Sequence, residues 1–307
     1  MSSPAPTGDL HLKMFSPESR FTDWHLTGFG SAPALLYDSI ESTHSLMKSL
    51  AAAGEIPPGT LIVADSQSAG RGRHERTWNS PAGKNLYFNI LIPLDGILLK
   101  DAPQITQVAA ITFAETFRNL QESGESAGIG NREIGKVTVK WPNDILCGVS
   151  KFCGILAELV YIKSTIGQAV VKNTPALSMG VGINVNSDAS DYAALGRAVT
   201  TLKEIAGRKI NREKLLQALI ANLERAIGQF KAFGITPWVA AWRKMDQFIG
   251  ARGTIVVNNH CTDENRDGGT GVQKKKGRIA DMRADGSLLF ECDDGTTEVV
   301  YSADLEV

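Results

Sequence analysis

Between Gly70 and Trp78 the chain reads Gly-Arg-Gly-Arg-His-Glu-Arg-Thr-Trp, three guanidinium groups among two glycines and an indole. Each arginine offers a planar fork of donors suited to phosphate or carboxylate oxygens. Glycine admits left-handed backbone and close approach to a ligand, and an indole presents a flat apolar face on which a purine could stack. The stretch follows the apolar run Leu61-Ile62-Val63-Ala64 and so reads as a loop leaving a strand. Its chemistry is that of a site for a phosphate chain; the plainer alternative is a solvated charge cluster beside a core tryptophan.

Three other segments carry residues that chemistry could use. Ser42-Thr43 opens a helical pattern, where free N–H groups and the helix dipole favour a carbonyl or an anion; simple N-capping is the alternative. Lys140-Trp141-Pro142-Asn143-Asp144 is followed closely by Lys151. Gly180-Val181-Gly182-Ile183-Asn184 sets small residues in an apolar strand, the pattern of a backbone that something must approach.

The elements that position these segments follow from periodicity. Leu35-Leu36-Tyr37, Thr60 to Asp65, Asn85 to Ile92, Lys136 to Trp141, Lys151 to Val160 and Ala176 to Asn186 read as strands. Helical spacing marks Thr43 to Ala53, stopped by Gly54, and Pro103 to Gln121, closed by a Gly/Ser-rich turn from Ser123 to Gly130. It recurs from Asn211, a cap, to Phe233, and from Pro237 to Met245. Strands arriving in succession with few helices between them indicate an α+β domain with a mixed, largely antiparallel sheet. From about Gly250 short alternating runs separated by Ala284-Asp285-Gly286 and Asp293-Asp294-Gly295 turns indicate a small β-barrel. The predicted division is a flexible lead-in (1–34), a catalytic domain (35–248) and the small C-terminal domain (249–307). The polar stretch from Asn258 to Lys276 is expected to be a mobile insertion.

Composition narrows the function classes. With 307 residues, 43% of them hydrophobic and a net charge of -1, the chain resembles an ordinary soluble protein without long-range attraction for nucleic acid or acidic membrane. Its four cysteines, Cys147, Cys153, Cys261 and Cys292, show no C-x-x-C spacing, which argues against a zinc cluster or a disulfide framework. No secretory signal and no apolar run of about 20 residues is evident, so a reducing, cytoplasmic setting without membrane contact is expected.

Taken together and in this order, the four segments resemble closely the biotin protein ligase (holocarboxylase synthetase) family. The resemblance runs from about Leu35 to the C-terminus and rests on Gly70-Arg-Gly-Arg with Arg76 and Trp78, Lys140-Trp-Pro-Asn-Asp, and Gly182-Ile-Asn-Val. It implies a catalytic fold similar to the core of class II aminoacyl-tRNA synthetases, with an SH3-like C-terminal barrel. It also implies that biotin is activated with Mg-ATP as biotinyl-5′-AMP and then passed to a lysine on the carrier domain of a biotin-dependent carboxylase. By the same resemblance Ser42, Thr43, Gln67, Gly70 and Arg71 surround the biotin ureido ring, and Arg73 and Arg76 bind phosphates. Trp78 closes over the adenine, and Asn143 and Asp144 face the nucleotide or its Mg2+, with no fixed protein metal site. Asn184 faces the adenine. Lys151 bridges the biotin carboxylate and the α-phosphate, while Gly154 lets the ligand lie close to its strand. The chemistry agrees: two anions must meet, and cations placed where charge develops lower that barrier.

The sequence departs from the family at His44, where asparagine is common and a partly exposed helix position is expected, and at Cys153, expected to pack as a small hydrophobe. His74 and Glu75 are assigned to loop solubility, and Lys274 to Lys276 to a solvated face. Residues 259–275 have no counterpart in the family. The segment before Leu35 lacks two amphipathic helices, so no operator DNA binding is expected, and monomer and homodimer both stay open. Two rival readings are a lipoate-protein ligase, which would lack Lys-Trp-Pro-Asn-Asp, and an RNA-binding module, which would interleave aromatic with basic residues on an exposed sheet.

Overall fold

Alternation along the strands decides the layers of this molecule, described by a computed structural model at residues 21–74, 76–122, 137–166, 169–258 and 272–307. The elements are β1 (Ala34–Ile40), α1 (Thr43–Ala53), β2 (Leu61–Gln67), β3 (Leu86–Pro93), α2 (Gln104–Glu122), β4 (Val137–Lys140), β5 (Asp144–Cys147) and β6 (Ser150–Ile166). They continue with β7 (Ala169–Ile183), α3 (Leu202–Ala206), α4 (Arg212–Phe233), α5 (Thr236–Met245), β8 (Arg252–Asn258), β9 (Val272–Met282), β10 (Leu288–Cys292), β11 (Thr297–Val300) and β12 (Asp304–Glu306).

The first seven strands form one sheet in the order β1-β2-β3-β7-β6-β5-β4. Only β1 and β2 run parallel; the other pairings are antiparallel, as the sequence predicts. Because successive side chains point to opposite faces, Phe88, Ile90, Met179 and Val181 join a large core with α2, α4 and α5. Ile62, Leu91, Val160 and Ala176 instead meet Met47 and Ala51 of α1 in a smaller core. Each large apolar side chain so buried stabilises by about 1.5–3 kcal/mol. The same alternation gives β7 a second set on the α1 face, Ala176, Ser178, Gly180 and Gly182, which pair across to Val160, Glu158, Leu156 and Gly154 of β6. Beyond the end of α1 this face has almost no side chains to fill it.

Local signals set the ends of the helices. Ser42 Oγ accepts from Ser45 N to start α1, and Gly54, at φ 75°, stops it. Asn211 Oδ1 accepts from Lys214 N at the start of α4, and Gly234 ends it at φ 60°. Four short helical pieces escape the sequence reading, 3-10 turns at Phe29–Ser31, Leu99–Asp101 and Ala189–Leu195, and α3; all are too brief to show periodicity. The strands β6 and β9 run further than their alternation suggested.

A five-stranded antiparallel sheet, β11-β10-β9-β8-β12, stands where the small C-terminal barrel is expected. Lys274 to Lys276 lie in β9, where Lys274 pairs with Glu306 and Lys275 with Glu298. The sheet is seated on the larger unit by Gly286, whose carbonyl accepts from Trp141 Nε1 (3.1 Å) and Gln107 Nε2 (2.8 Å). A two-point Arg243–Asp281 pair adds to the contact. The turn from Ser123 to Gly130, residues 259–271 of the predicted insertion, Glu75 and Cys261 lie outside the described residues. So do residues 1–20 of the lead-in; in the rest of it Phe21 is buried and packs edge-on to Trp24, over which Arg212 stands at 5.5 Å. No described helix is long and apolar enough to cross a membrane.

Candidate active site

This glycine-rich patch of sheet becomes the floor of a cleft open to solvent on one side. Gly154, Gly180 and Gly182 line it from β6 and β7, and Ser42, Thr43 and His44 from the start of α1. Arg71, Arg73, Arg76 and Trp78 line one wall, and Asn143, Asp144 and Lys151 line the cavity with them. The sequence segments singled out above therefore meet.

Glycine is required where the indole of Trp78 rests. A Cβ on Gly182 would stand 2.4 Å from Trp78 Cε2, and one on Gly154 3.0 Å from both Trp78 Cζ3 and Lys151 Nζ. Trp78 Nε1 is shut from solvent and makes no hydrogen bond among the described residues. Gly70 lies behind the wall, not on it: a Cβ there would meet Trp78 O at 2.5 Å. Hydrogen bonds from Trp78 N to Gly70 O and from Gly72 N to Arg76 O fold the basic stretch into a tight hairpin.

The charges of the wall are arranged in pairs. Lys151 Nζ donates to Asp144 Oδ1 at 2.6 Å and stands 5.5 Å over the Trp78 ring. Asp304, reaching in from β12, takes Arg76 at 2.6 Å, His74 at 3.5 Å and Arg73 at 3.6 Å. Arg73 also donates to Ser302 Oγ, Ala303 O and Asn143 Oδ1. Burial lowers the Arg73 pKa, Asp304 and Asp144 opposing the shift. Asn143 in turn donates from Nδ2 to Ile155 O at 2.6 Å, which fixes the turn after Trp141 against β6. Burial also lowers the pKa of the neighbouring Lys140, partly offset by Asp144, and its ammonium lies 5.4 Å from the Phe248 ring.

At the blind end Gln67 Oε1 accepts from Thr43 N (2.8 Å) and Thr43 Oγ1 (3.1 Å), while Gln67 Nε2 donates to Ser80 Oγ. His44 is not partly exposed as the sequence suggested but buried. Asn89 Nδ2 lies 3.1 Å from its Nδ1, and Glu158 Oε1 lies within 3.3 Å of its Nε2. Burial lowers the His44 pKa; Glu158 opposes this, and Lys48 and Arg71 deepen it. Its folded pKa thus lies below the ordinary 6.5, so the unfolded chain takes up the proton first and stability falls as pH drops below that value. Glu158 itself is held below its ordinary 4.5: burial would raise it, but Lys48 and His44 outweigh burial, so its window lies at lower pH. We predict that wild type loses more melting temperature between about pH 7.5 and about pH 5.5 than His44→Asn does. Parallel melting curves across that range would refute the assignment.

Cys153 is fully buried, as expected of a small hydrophobe, and burial raises its thiol pKa strongly. Asn184 lies one step away, in a smaller hollow beyond Trp78 and Lys151. Two site residues were missed by the sequence reading, Asp304 and Arg197. Neither sits in a motif; Asp304 comes 228 positions after Arg76.

The model of the biotin/lipoate A/B protein ligase family matches residues 36–174. The bifunctional ligase/repressor BirA of Bacillus subtilis is 32% identical over 274 residues, spanning 89% of this chain and 73% of its own length. The biotin–acetyl-CoA-carboxylase ligase of Paracoccus denitrificans is 29% identical over 213 residues, 67% of this chain and 80% of its own. In fold, the chain is similar to the Aquifex aeolicus biotin protein ligase solved in complex with biotin and ATP, with a TM-score of 0.67 at 23% identity, covering 89% of this chain and 97% of that one. The Leishmania major biotin protein ligase, solved with biotinyl-5-AMP, gives a TM-score of 0.54 at 19% identity, covering 87% and 98%.

Proposed function

Because this chain belongs to the biotin protein ligase family, we propose that it activates biotin with ATP as biotinyl-5′-AMP and transfers the biotinyl group to a lysine of a carboxylase carrier domain. One observation carries the reading: Lys151 and four arginines, Arg71, Arg73, Arg76 and Arg197, line one cleft whose glycine floor is covered by the Trp78 indole.

In the first step a biotin carboxylate oxygen attacks the α-phosphorus of ATP. The acyl–phosphate bond forms, the bond to the β-phosphate bridging oxygen breaks, and pyrophosphate leaves with the electron pair. Lys151 neutralises the meeting anions, Arg71 and Gln67 hold the ureido end with Ser42 and Thr43, and Arg73 and Arg76 receive the phosphates. Such groups act by position and charge instead of proton transfer. In the second step the carrier amine attacks the acyl carbon and AMP departs; Asp144 orients that amine and receives its proton. Mg2+ arrives with the triphosphate. Asp144 and Asp304 are the carboxylates that line the cavity, and Asp144 would be the one to reach an ion carried by the phosphates.

The test is isotope exchange between pyrophosphate and ATP, run with biotin, with lipoate and with neither, followed by labelling of an isolated carrier domain. We expect exchange that depends on biotin and a carrier heavier by one biotinyl group. Exchange driven by lipoate alone would replace this reading with the lipoate ligase one.

A further inference from the structure

The site consists of two hollows that meet, and the residues on their shared edge say what must cross it. The main cavity contains the vitamin end and the basic wall. The smaller one is lined by Trp78, Asn79, Asn184, Tyr192, Leu195 and Val199. Flat aromatic and aliphatic surface with two amides, Asn79 and Asn184, suits a planar heteroaromatic base. Three residues line both hollows, Trp78, Lys151 and Arg197. A ligand with its acyl end in one hollow and its base in the other puts its phosphate at that junction.

The backbone of Arg197 is held in place there. Gly196, at φ 62°, ends the 3-10 turn Ala189–Leu195 and redirects the chain. Ala198 O then accepts from Lys151 N (3.1 Å), and Thr200 N donates to Lys151 O (3.2 Å). The strand carrying Lys151 and the segment carrying Arg197 are therefore in register. On the other side Tyr192, buried, is tied by its hydroxyl to Asn85 and Ser187. Lys151 is paired with Asp144, and Arg73 and Arg76 with Asp304. Among the described residues no carboxylate lies within ion-pair reach of Arg197, so an incoming anion meets this cation without displacing a partner.

Resting on the biotin–ATP reading for the vitamin end, we propose that Arg197 is a further nucleotide-binding residue whose guanidinium engages the α-phosphate, the group that ATP and biotinyl-AMP share. A planar fork of donors matches that group better than a point charge. The residue is exposed, so its contribution is in holding the nucleotide and the adenylate, and biotin alone does not need it.

The test compares wild type with Arg197→Ala and Arg197→Lys in three readouts: ATP titration without biotin, KM for each substrate in pyrophosphate release, and the rate at which preformed biotinyl-AMP escapes. We expect Arg197→Ala to weaken ATP binding and hasten adenylate escape by about tenfold each, to leave KM for biotin within about twofold, and to keep the melting temperature. Arg197→Lys should recover part of both losses. Unchanged ATP binding and adenylate escape in Arg197→Ala would overturn the proposal, as would a rise confined to KM for biotin. If Arg197→Ala weakens ATP binding while wild type shows no biotin-dependent pyrophosphate release, the biotin reading fails and the nucleotide contact stands.

Discussion

Replacing Lys151 by alanine is expected to slow adenylate formation by at least about a thousandfold while leaving the chain folded. The amine is the cation that reaches across the cavity: it is 20% exposed, 2.6 Å from Asp144 and against the Trp78 ring. Its removal does two things. It takes away the positive charge that the proposed reaction places between carboxylate and phosphate, and it leaves the Asp144 carboxylate, on a side chain 25% exposed, without its partner. The double variant Lys151→Ala with Asp144→Asn separates these effects, since relief of the second should recover part of the loss. Single-turnover release of pyrophosphate from saturated enzyme is the measurement. A rate within about tenfold of wild type would remove Lys151 from the chemistry.

The second large effect is expected at Arg73, where alanine should lower kcat/KM for ATP by about a hundredfold. Arg73 has two jobs in this fold. It lines the cavity, and it also ties the basic hairpin to the C-terminal sheet through Ser302, Ala303 and Asp304. Arg73→Lys keeps charge but cannot span those acceptors, and Asp304→Asn keeps the arginine but removes its carboxylate. If the charge toward phosphate dominates, Arg73→Lys retains much activity and Asp304→Asn stays within about tenfold of wild type. An Asp304→Asn variant as damaged as Arg73→Ala would mean that the tie to the sheet carries the effect. Arg73→Ala within about threefold of wild type would discard both roles.

What could be read from sequence was what is written locally. Ser42 and Gly54 mark the ends of α1 because capping and left-handed stops involve neighbours in the chain. The alternation of β7 shows the small residues Ser178, Gly180 and Gly182 on one face, and the two glycines form the cavity floor. What could not be read depends on distant partners. His44 looked like an outer helix position because its burial comes from Asn89, Ser178 and Glu158, on three different strands. β12 is three residues long and carries charges at both ends, too little for a strand signal. Asp304 and Arg197 matter through where folding delivers them, and nothing adjacent in the chain marks that.

One feature of the floor bears on the thermodynamics of filling it. Trp78 already lies on Gly182, so glycine floor and indole are dry against each other before any ligand arrives. A ring system that slides between them removes only its own two faces from water, since both surfaces it touches have lost theirs beforehand. The heat-capacity drop on binding then follows the ligand's area, about half the total contact surface, and most of the dehydration has been completed by folding.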